Sequence, residues 1–389
     1  MKKSLLLLFA ALATAAASAQ TKCWNGNLRY ELDEQSRQAE VTKENYSGYT
    51  TLTIPATITC EGVEYRVTGI GNEAFYECAE LTDVTLPEGL ERIGDKAFVA
   101  CTKLWYINFP TTLKSIGEEA FYYCRNFGSN GKLNMALPEG LESIGSRAFK
   151  MSEVVDVVIP ESVTSIGDGV FMASCLCSIV LPQSMTSISK EMFAQTYLET
   201  IDIPESVTTI GAGAFNGCSY LEAIDLPEGL ESIGDNAFYN CRKLTTVTIP
   251  EGVTTIGAGA FNSCTDVSRI YLLGCVESIG ADAFYGKTLD IYCYSEEPPY
   301  VDASAFRCDR NKSVVHVPES AMEAYCDPEN QWGRLFRNIV ALTEEEMGVG
   351  QLTMDKGQGT MYDLAGRRVT HTEGLKGIYI VDGKKVVVQ

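Results

Sequence analysis

The sequence predicts a mainly β solenoid, in which short coils of chain stack along one axis. One phrase recurs along the chain: it reads LPEGLERIGDKAF at Leu86–Phe98 and LPEGLESIGDNAF at Leu226–Phe238. The step from proline to phenylalanine is 11 residues in every coil from Pro87 to Pro250. The residues before each proline alternate apolar and polar, as in a half-buried strand. Such a unit cannot bury its own apolar face and must stack on a neighbour.

The phenylalanine that ends each phrase marks one coil. Successive phenylalanines are 22 or 23 residues apart, except for one interval of 28. Leucine-rich repeats have periods of about 20–29 residues. The extra residues of the long interval lie around Asn126–Gly131, whose turn-forming composition indicates a surface loop. The eleven anchors are Phe75, Phe98, Phe121, Phe149, Phe171, Phe193, Phe215, Phe238, Phe261, Phe284 and Phe306.

Each unit divides into three predicted parts. The segment Leu244–Pro250 is a strand that ends at its proline. Val253 and Ile256 then face inward from a second short extended stretch, and Gly257 permits the bend that follows. The pair before the next loop, Ala260 and Phe261, is expected to enter the core from a short helical turn.

The 14 cysteines are interpreted mainly as free thiols in the core. Ser152, Ser174 and Thr196 occupy the same repeat slot as six of the cysteines, and a slot shared by these residues is small and buried. Outside the regular slot, Cys23 with Cys60 and Cys308 with Cys326 are candidate disulfides, although sequence does not give connectivity. The six cysteines of the slot are Cys78, Cys101, Cys124, Cys218, Cys241 and Cys264.

The N-terminus indicates an exported protein. Residues 1–19 read as a signal peptide, with Lys2–Lys3, an apolar run and a small-residue cleavage site. We expect a protein at the cell surface or outside the cell, or alternatively in the periplasm, with no transmembrane segment. The formal net charge of −20 argues against binding of nucleic acid, which requires a basic surface.

The chain carries no convincing catalytic motif, and we expect no enzyme, cofactor or metal site. Its histidines are His316 and His371, too few for most triad or zinc chemistry. The S-x-x-K sequence at Ser187–Lys190 lies within the repeat and lacks the companion motifs of penicillin-binding proteins.

With the repeat written Leu-x-x-Ile/Val-x-Leu/Ile-Pro-x-x-Val/Leu-x-x-Ile-Gly-x-x-Ala-Phe-x-x-Cys, the chain resembles the BspA-like leucine-rich repeat family of bacterial surface proteins, from about Leu52 to Ile339. The fold expected is a leucine-rich repeat solenoid of about eleven 22–23-residue coils with N- and C-terminal caps and a small C-terminal β module. The expected divisions are an N-terminal cap with a hairpin (20–70), the solenoid (71–294) and a C-terminal cap with the last repeat (295–343).

The tail is predicted to be a separate piece. Residues 344–360 read as a linker, and residues 361–389 as a small β module, because Asp382–Gly383 separates two β-prone runs. This module resembles the C-terminal sorting domain of the Bacteroidetes type IX (Por) secretion pathway. The alternative is a β module with no sorting role.

The resemblance implies adhesion, to host matrix proteins such as fibronectin and fibrinogen or to other cells. A solenoid offers a long surface, so we expect a non-catalytic protein that binds an extracellular protein or glycan. The alternative is a structural or assembly component of the cell envelope or a biofilm. Oligomeric state is left open. Exposed aromatic side chains are typical contact residues, and the candidates are Trp105, Tyr106, Tyr122, Tyr123 and Tyr271.

Overall fold

The computed structural model describes residues 21–126, 134–343, 346–347, 361–363, 377–381 and 384–388. It confirms the predicted fold: the repeats stack as parallel coils around one continuous apolar core. The predicted signal peptide and most of the predicted loop at Asn126–Gly131 lie outside the described residues. Each coil contributes to three faces, which we name the sheet face, the second face and the turn face.

The sheet face consists of the strands that precede the repeat proline, together with the equivalent strands of the coils that lack this proline. These strands pair in parallel within three separate sheets, and the ladder is interrupted over the two described coils between β15 and β19. Apolar residues of each strand alternate into the core. The strands are β4 (Thr51–Thr53), β7 (Asp83–Thr85), β9 (Tyr106–Ile107), β11 (Asn134–Ala136), β13 (Asp156–Val158), β15 (Ser178–Val180), β19 (Thr246–Ile249), β21 (Arg269–Leu272), β24 (Asp290–Cys293), β27 (Val314–Val317) and β28 (Asn338–Ala341).

The second face consists of two-residue strands after the proline. They form two parallel ladders, the first ending at β14 and the second beginning at β16. Their last residue points into the core in almost every coil. The strands are β8 (Arg92–Ile93), β10 (Ser115–Ile116), β12 (Ser143–Ile144), β14 (Ser165–Ile166), β16 (Ser187–Ile188), β17 (Thr209–Ile210), β18 (Ser232–Ile233), β20 (Thr255–Ile256), β22 (Ser278–Ile279) and β25 (Tyr300–Val301).

A glycine follows this short strand because the neighbouring coil lies too close for a side chain. A Cβ atom added to Gly257 would lie 2.5 Å from the backbone nitrogen of Asp235, and one added to Gly145 would lie 2.4 Å from that of Glu118. Neither glycine has a positive φ. The glycine column is therefore required by close approach of adjacent coils, and the expected role of Gly257 in a special bend is wrong.

The turn face carries the anchor phenylalanines. The sequence predicts a short helical turn at this position, whereas the structure has turns that are hydrogen-bonded from coil to coil. Around the anchors from Phe75 to Phe261, the residues two positions before and after the anchor have left-handed φ angles, as Lys96 and Ala100 do at 56° on either side of Phe98. These angles interrupt any helix. The Phe98 amide instead donates to the carbonyl of Ala120 in the next coil at 2.8 Å. Two short strands, β23 (Phe284–Tyr285) and β26 (Phe306–Arg307), continue this ladder.

The anchor rings stack into a column along the solenoid axis. Successive ring centroids lie 5.0–6.2 Å apart, and most pairs are nearly parallel. The widest separation, 6.2 Å, joins Phe171 and Phe193. All eleven anchors are buried, so the column of rings runs through the core along the solenoid axis.

The cysteine slot next to this column holds free, buried thiols, as the sequence predicts. Five of the six donate to the carbonyl of the anchor phenylalanine in the preceding coil, at 3.0–3.2 Å. Ser152, Ser174 and Thr196 instead donate to the anchor carbonyl of their own coil, at 2.6–2.8 Å. The side-chain bond between coils is thus replaced by a bond within the coil at these three positions.

The N-terminal cap covers the first coil with antiparallel strands. The strands β5 and β6 form the expected hairpin, and β6 continues into the second-face ladder by pairing with β8. A disulfide joins Cys23 to Cys60 with a Cα–Cα distance of 6.3 Å. The cap strands are β1 (Thr21–Asn25), β2 (Leu28–Asp33), β3 (Gln38–Val41), β5 (Thr57–Cys60) and β6 (Val63–Ile70).

The C-terminal cap closes the last coil with a 3₁₀ turn (Glu319–Ala321) and two short helices, α1 (Met322–Cys326) and α2 (Gln331–Leu335). Trp332 is fully buried beside Phe306, and its indole N–H donates to the Pro299 carbonyl at 2.9 Å.

The second candidate disulfide, Cys308 with Cys326, is not formed, and both cysteines are free. Cys308 is half-buried after β26, next to the hydroxyl of Ser313, whereas Cys326 is exposed at the end of α1. The helices that follow the last repeat thus leave the two thiols in different environments.

The described part of the tail contains three strands, β29 (Met361–Asp363), β30 (Gly377–Val381) and β31 (Lys384–Val388). They pair in antiparallel order with β30 in the centre. The Asp382–Gly383 turn and most of the predicted linker lie outside the described residues. Across the parts of the chain with described structure, no helix has the length and apolarity needed to cross a membrane.

Candidate functional site

Two adjacent aromatic side chains, Trp105 and Tyr106, project from the sheet face. Their ring centroids lie 6.0 Å apart at an angle of 50°, and the residues are 39% and 37% exposed. Large aromatic groups that remain exposed beside a polar surface are typical of contact sites. We take this pair as the candidate functional site and name it the Trp105–Tyr106 pair.

Backbone hydrogen bonds hold Trp105 and the strand β9 that follows it. The backbone amides of Trp105 and Tyr106 both donate to the carbonyl of Thr82, at 3.0 and 3.2 Å. Tyr106 lies opposite Asp83 in the ladder, and the next residue, Ile107, is buried in the core. Because the strand alternates, anchoring Ile107 inside holds Tyr106 outside.

Tyr122 and Tyr123 lie elsewhere, directly after Phe121 on the turn face. Their rings are 6.2 Å apart and both residues are half-buried. The Arg125 guanidinium lies 4.3 Å from the Tyr123 ring centroid, and the Tyr122 hydroxyl contacts the sulfur of Met151 at 3.5 Å. The two rings are therefore engaged in local contacts, and they do not extend the Trp105–Tyr106 pair.

Tyr271 belongs to an aromatic stack near the other end of the sheet face. Its ring lies 4.7 Å from that of Tyr292, which lies 4.3 Å from the imidazole of His316, both nearly parallel. These rings cover one another's faces, so mainly their edges meet solvent. The His316 Nδ1 is 3.2 Å from the Glu346 carboxylate, and burial raises the pKa of Tyr292 to about 12.

Sequence reasoning missed Tyr292 and His316 as the partners of Tyr271, because their stacking depends on how three neighbouring strands pair. It also missed an exposed pair, Tyr197 and Tyr220, whose rings are 5.5 Å apart. These two share one repeat position, seven residues before Pro204 and Pro227. An alignment of the coils by column would have revealed them.

The residues with described structure contain no cluster of three or more His, Cys, Asp or Glu side chains that could hold a metal ion. Burial raises the pKa of the Cys218 thiol, for example, to about 11, which keeps it protonated. What the sheet face presents is aromatic and apolar surface flanked by polar groups.

Known proteins with similar structures are bacterial leucine-rich repeat proteins. A leucine-rich repeat protein from Bacteroides ovatus is 24% identical, with a TM-score of 0.65, over 82% of this chain and 90% of that one. A leucine rich cell surface protein from Faecalibacterium prausnitzii is 23% identical, with a TM-score of 0.48, over 84% and 96% of the two chains. The first similarity supports the fold. No curated protein matches the chain at a significant level.

The repeats themselves carry the family relationship. The BspA type leucine rich repeat region matches in six copies, over residues 68–198, 127–222 and 186–313. These overlapping matches cover most of the solenoid, including the strands that hold the Trp105–Tyr106 pair. The chain therefore belongs to the BspA-type leucine-rich repeat family.

Proposed function

We propose that this protein is exported, displayed at the cell surface, and binds a protein or glycan ligand through its sheet face without catalysing a reaction. The observation that supports the proposal most is the Trp105–Tyr106 pair, two exposed aromatic rings at the start of a strand held by backbone hydrogen bonds. A solenoid face supplies a long, preformed surface around such an anchor, which lowers the entropic cost of binding.

The ligands implied by family membership are host matrix proteins or the surfaces of other cells, which makes the protein an adhesin. The Faecalibacterium structure is described as a cell surface protein, which supports the proposed location. The acidic composition, with a net charge of −20, favours a neutral or basic ligand surface over an acidic one.

The test is binding of the purified protein to immobilised fibronectin, immobilised fibrinogen and a glycan array. Replacing both Trp105 and Tyr106 by alanine should weaken binding by about 30-fold, the effect of losing about 2 kcal/mol at an aromatic contact centre. The control replaces Tyr239 and Tyr285, which have the same exposures of 37% and 39% but lie on the turn face. The control variant should bind like the wild type.

Two results would overturn the proposal. One is equal binding by the wild type and the Trp105→Ala/Tyr106→Ala variant. The other is a wild type that binds none of these ligands and instead self-associates in sedimentation analysis, as a structural envelope component would. Location is tested separately by protease treatment of intact cells. Repeat peptides should be released without lysis, whereas protection until lysis would place the protein in the periplasm.

A further inference from the structure

The second face opens between two neighbouring coils. The strand β14 (Ser165–Ile166) pairs with β12 and the strand β16 (Ser187–Ile188) pairs with β17, but β14 and β16 do not pair with each other. A cavity of about 360 Å³ lies between them, lined by residues 163–166 and 184–187. We name it the β14–β16 cleft.

The hydrogen bonds that close every regular coil pair are missing at the cleft. In the next pair, Thr208 N–H donates to Thr186 O and Gly211 N–H donates to Ile188 O, both at 2.9 Å. The equivalent amides at the cleft are those of Thr186 and Ser189. They do not donate to the equivalent carbonyls of the preceding coil, those of Thr164 and Ile166. Each edge of the cleft thus presents backbone N–H or C=O groups to the cavity.

The same two coils remain joined on their other faces. On the sheet face, Ile159 N–H donates to Val180 O at 3.0 Å, and on the turn face, Phe171 N–H donates to Met192 O at 3.0 Å. The Glu161 carboxylate also accepts from the Gln183 amide at one end of the cleft. The cleft is therefore a local opening within an intact solenoid.

Ser189 explains the opening. It occupies the column that holds glycine in the neighbouring coils, at Gly167, Gly211 and Gly234. A Cβ atom at Gly167 would lie 2.3 Å from the backbone nitrogen of Ser146, and one at Gly211 would lie 2.8 Å from that of Lys190. The Cβ of Ser189 therefore holds the two coils apart, and its hydroxyl donates to the Gly167 carbonyl at 2.8 Å.

The side chains that line the β14–β16 cleft favour one type of ligand. Val163, Ile166 and Met185 supply an apolar floor, and Ile166 is only partly buried although the corresponding isoleucines in the adjacent coils are buried. The remaining lining residues are serines and threonines, with no charged or aromatic side chain among them. Without an aromatic ring or a carboxylate, the lining does not favour sugar stacking or metal binding.

We propose that the β14–β16 cleft binds a short extended peptide segment with small, uncharged side chains. The peptide lies along the mouth of the cleft, where its backbone hydrogen-bonds to the amide and carbonyl groups left by the broken ladder. Its side chains pack on the apolar floor. The cavity volume is within the range of sites that hold small ligands, about 300–1,000 Å³. This site lies on a different face from the Trp105–Tyr106 pair and is independent of the function proposed there.

The test uses the whole protein and a phage-displayed library of linear peptides as the probe. Selected peptides should be extended and poor in charge, and binding should slow hydrogen exchange of the amides in residues 184–189. Ser189→Gly removes the Cβ that separates the coils and should close the cleft. We expect this variant to unfold at higher denaturant concentration and to bind the selected peptides at least about tenfold more weakly.

The matched control is Ser178→Gly, the same chemical change on the sheet face of the same coil, which should leave peptide binding intact. The proposal is overturned if the library gives no peptide whose binding protects residues 184–189. It is also overturned if Ser189→Gly shows newly protected amides, and therefore a closed cleft, yet binds the peptides as tightly as the wild type.

Discussion

At the scale of the residue, the length of the repeated cysteine side chain matters as well as its small size. Its longer side chain allows Cys241 to contact the carbonyl of Phe215 in the preceding coil, at 3.2 Å. A serine in the same slot, such as Ser174, reaches only its own anchor, Phe171, at 2.7 Å. Burial also raises the pKa of the Cys78 and Cys218 thiols to about 11, so these two remain neutral.

This predicts a sharp division in thiol reactivity. In native protein treated with iodoacetamide near neutral pH, the exposed Cys177, Cys275 and Cys326 should be alkylated, because solvent reaches them. The six slot cysteines should react only after denaturation, because they are buried. Mass spectrometry of peptides from native and denatured samples distinguishes the two groups. Alkylation of Cys218 or Cys241 at the rate of Cys177 would contradict this account.

At the scale of the element, backbone ladders on three faces and the thiol bonds hold neighbouring coils together, and the sheet-face and second-face ladders are each interrupted. Stability of a solenoid is set largely by these nearest-neighbour contacts. The coils that carry Ser152, Ser174 and Thr196 lack the thiol bond to the preceding coil, and the same region contains the widest ring separation and the β14–β16 cleft. Coupling between coils is therefore weakest in the middle of the molecule.

Cys241→Ser should weaken the coupling between two regular coils in the same way. The serine hydroxyl will bond to Phe238 of its own coil, so the bond to Phe215 is lost, at a cost of about 1 kcal/mol in the free energy of unfolding. Urea denaturation measures the change. Cys177→Ser is the control, because Cys177 is exposed and its Sγ–H contacts the nearby Cys175 carbonyl. Equal loss of stability in both variants would show that the bond between coils contributes nothing.

At the scale of the whole molecule, stacked coils leave two open ends, and different devices close them. The N-terminal cap is held by antiparallel strands and the Cys23–Cys60 disulfide. The C-terminal cap is held by two short helices around the buried Trp332. Such caps keep the apolar last coils and their free strand edges away from solvent and other chains.

Trp332→Ala should therefore destabilise the protein and promote association. Removal of this buried side chain should lower the free energy of unfolding by about 3–5 kcal/mol. Denaturation curves measure the loss, and light scattering after size-exclusion chromatography measures association through the exposed end. Trp24→Ala is the control, since Trp24 is 57% exposed in the other cap. A Trp332→Ala variant as stable and as monomeric as the control would show that the cap is dispensable.

The sequence by itself determined the period, the inward columns and the solenoid. Those properties are local: apolar residues such as Leu244 and Val247 recur at fixed steps, and burial of a repeated apolar face allows few architectures. The same regularity identified the buried cysteine slot and the family. It also indicated that at least one of Trp105 and Tyr106 is exposed, and that Tyr122 and Tyr123 belong to a second patch beside the inserted loop.

Only the tertiary structure decided how neighbouring coils meet. It replaced the expected helical turn at each phenylalanine by a ladder of turns, because amides such as that of Phe98 find their acceptors in the next coil. It left Cys308 and Cys326 unpaired and stacked Tyr271 against Tyr292. Ser189 is visible in the sequence as an exception among glycines, but its effect depends on the distance between coils. That distance is a property of packing between residues far apart in the chain.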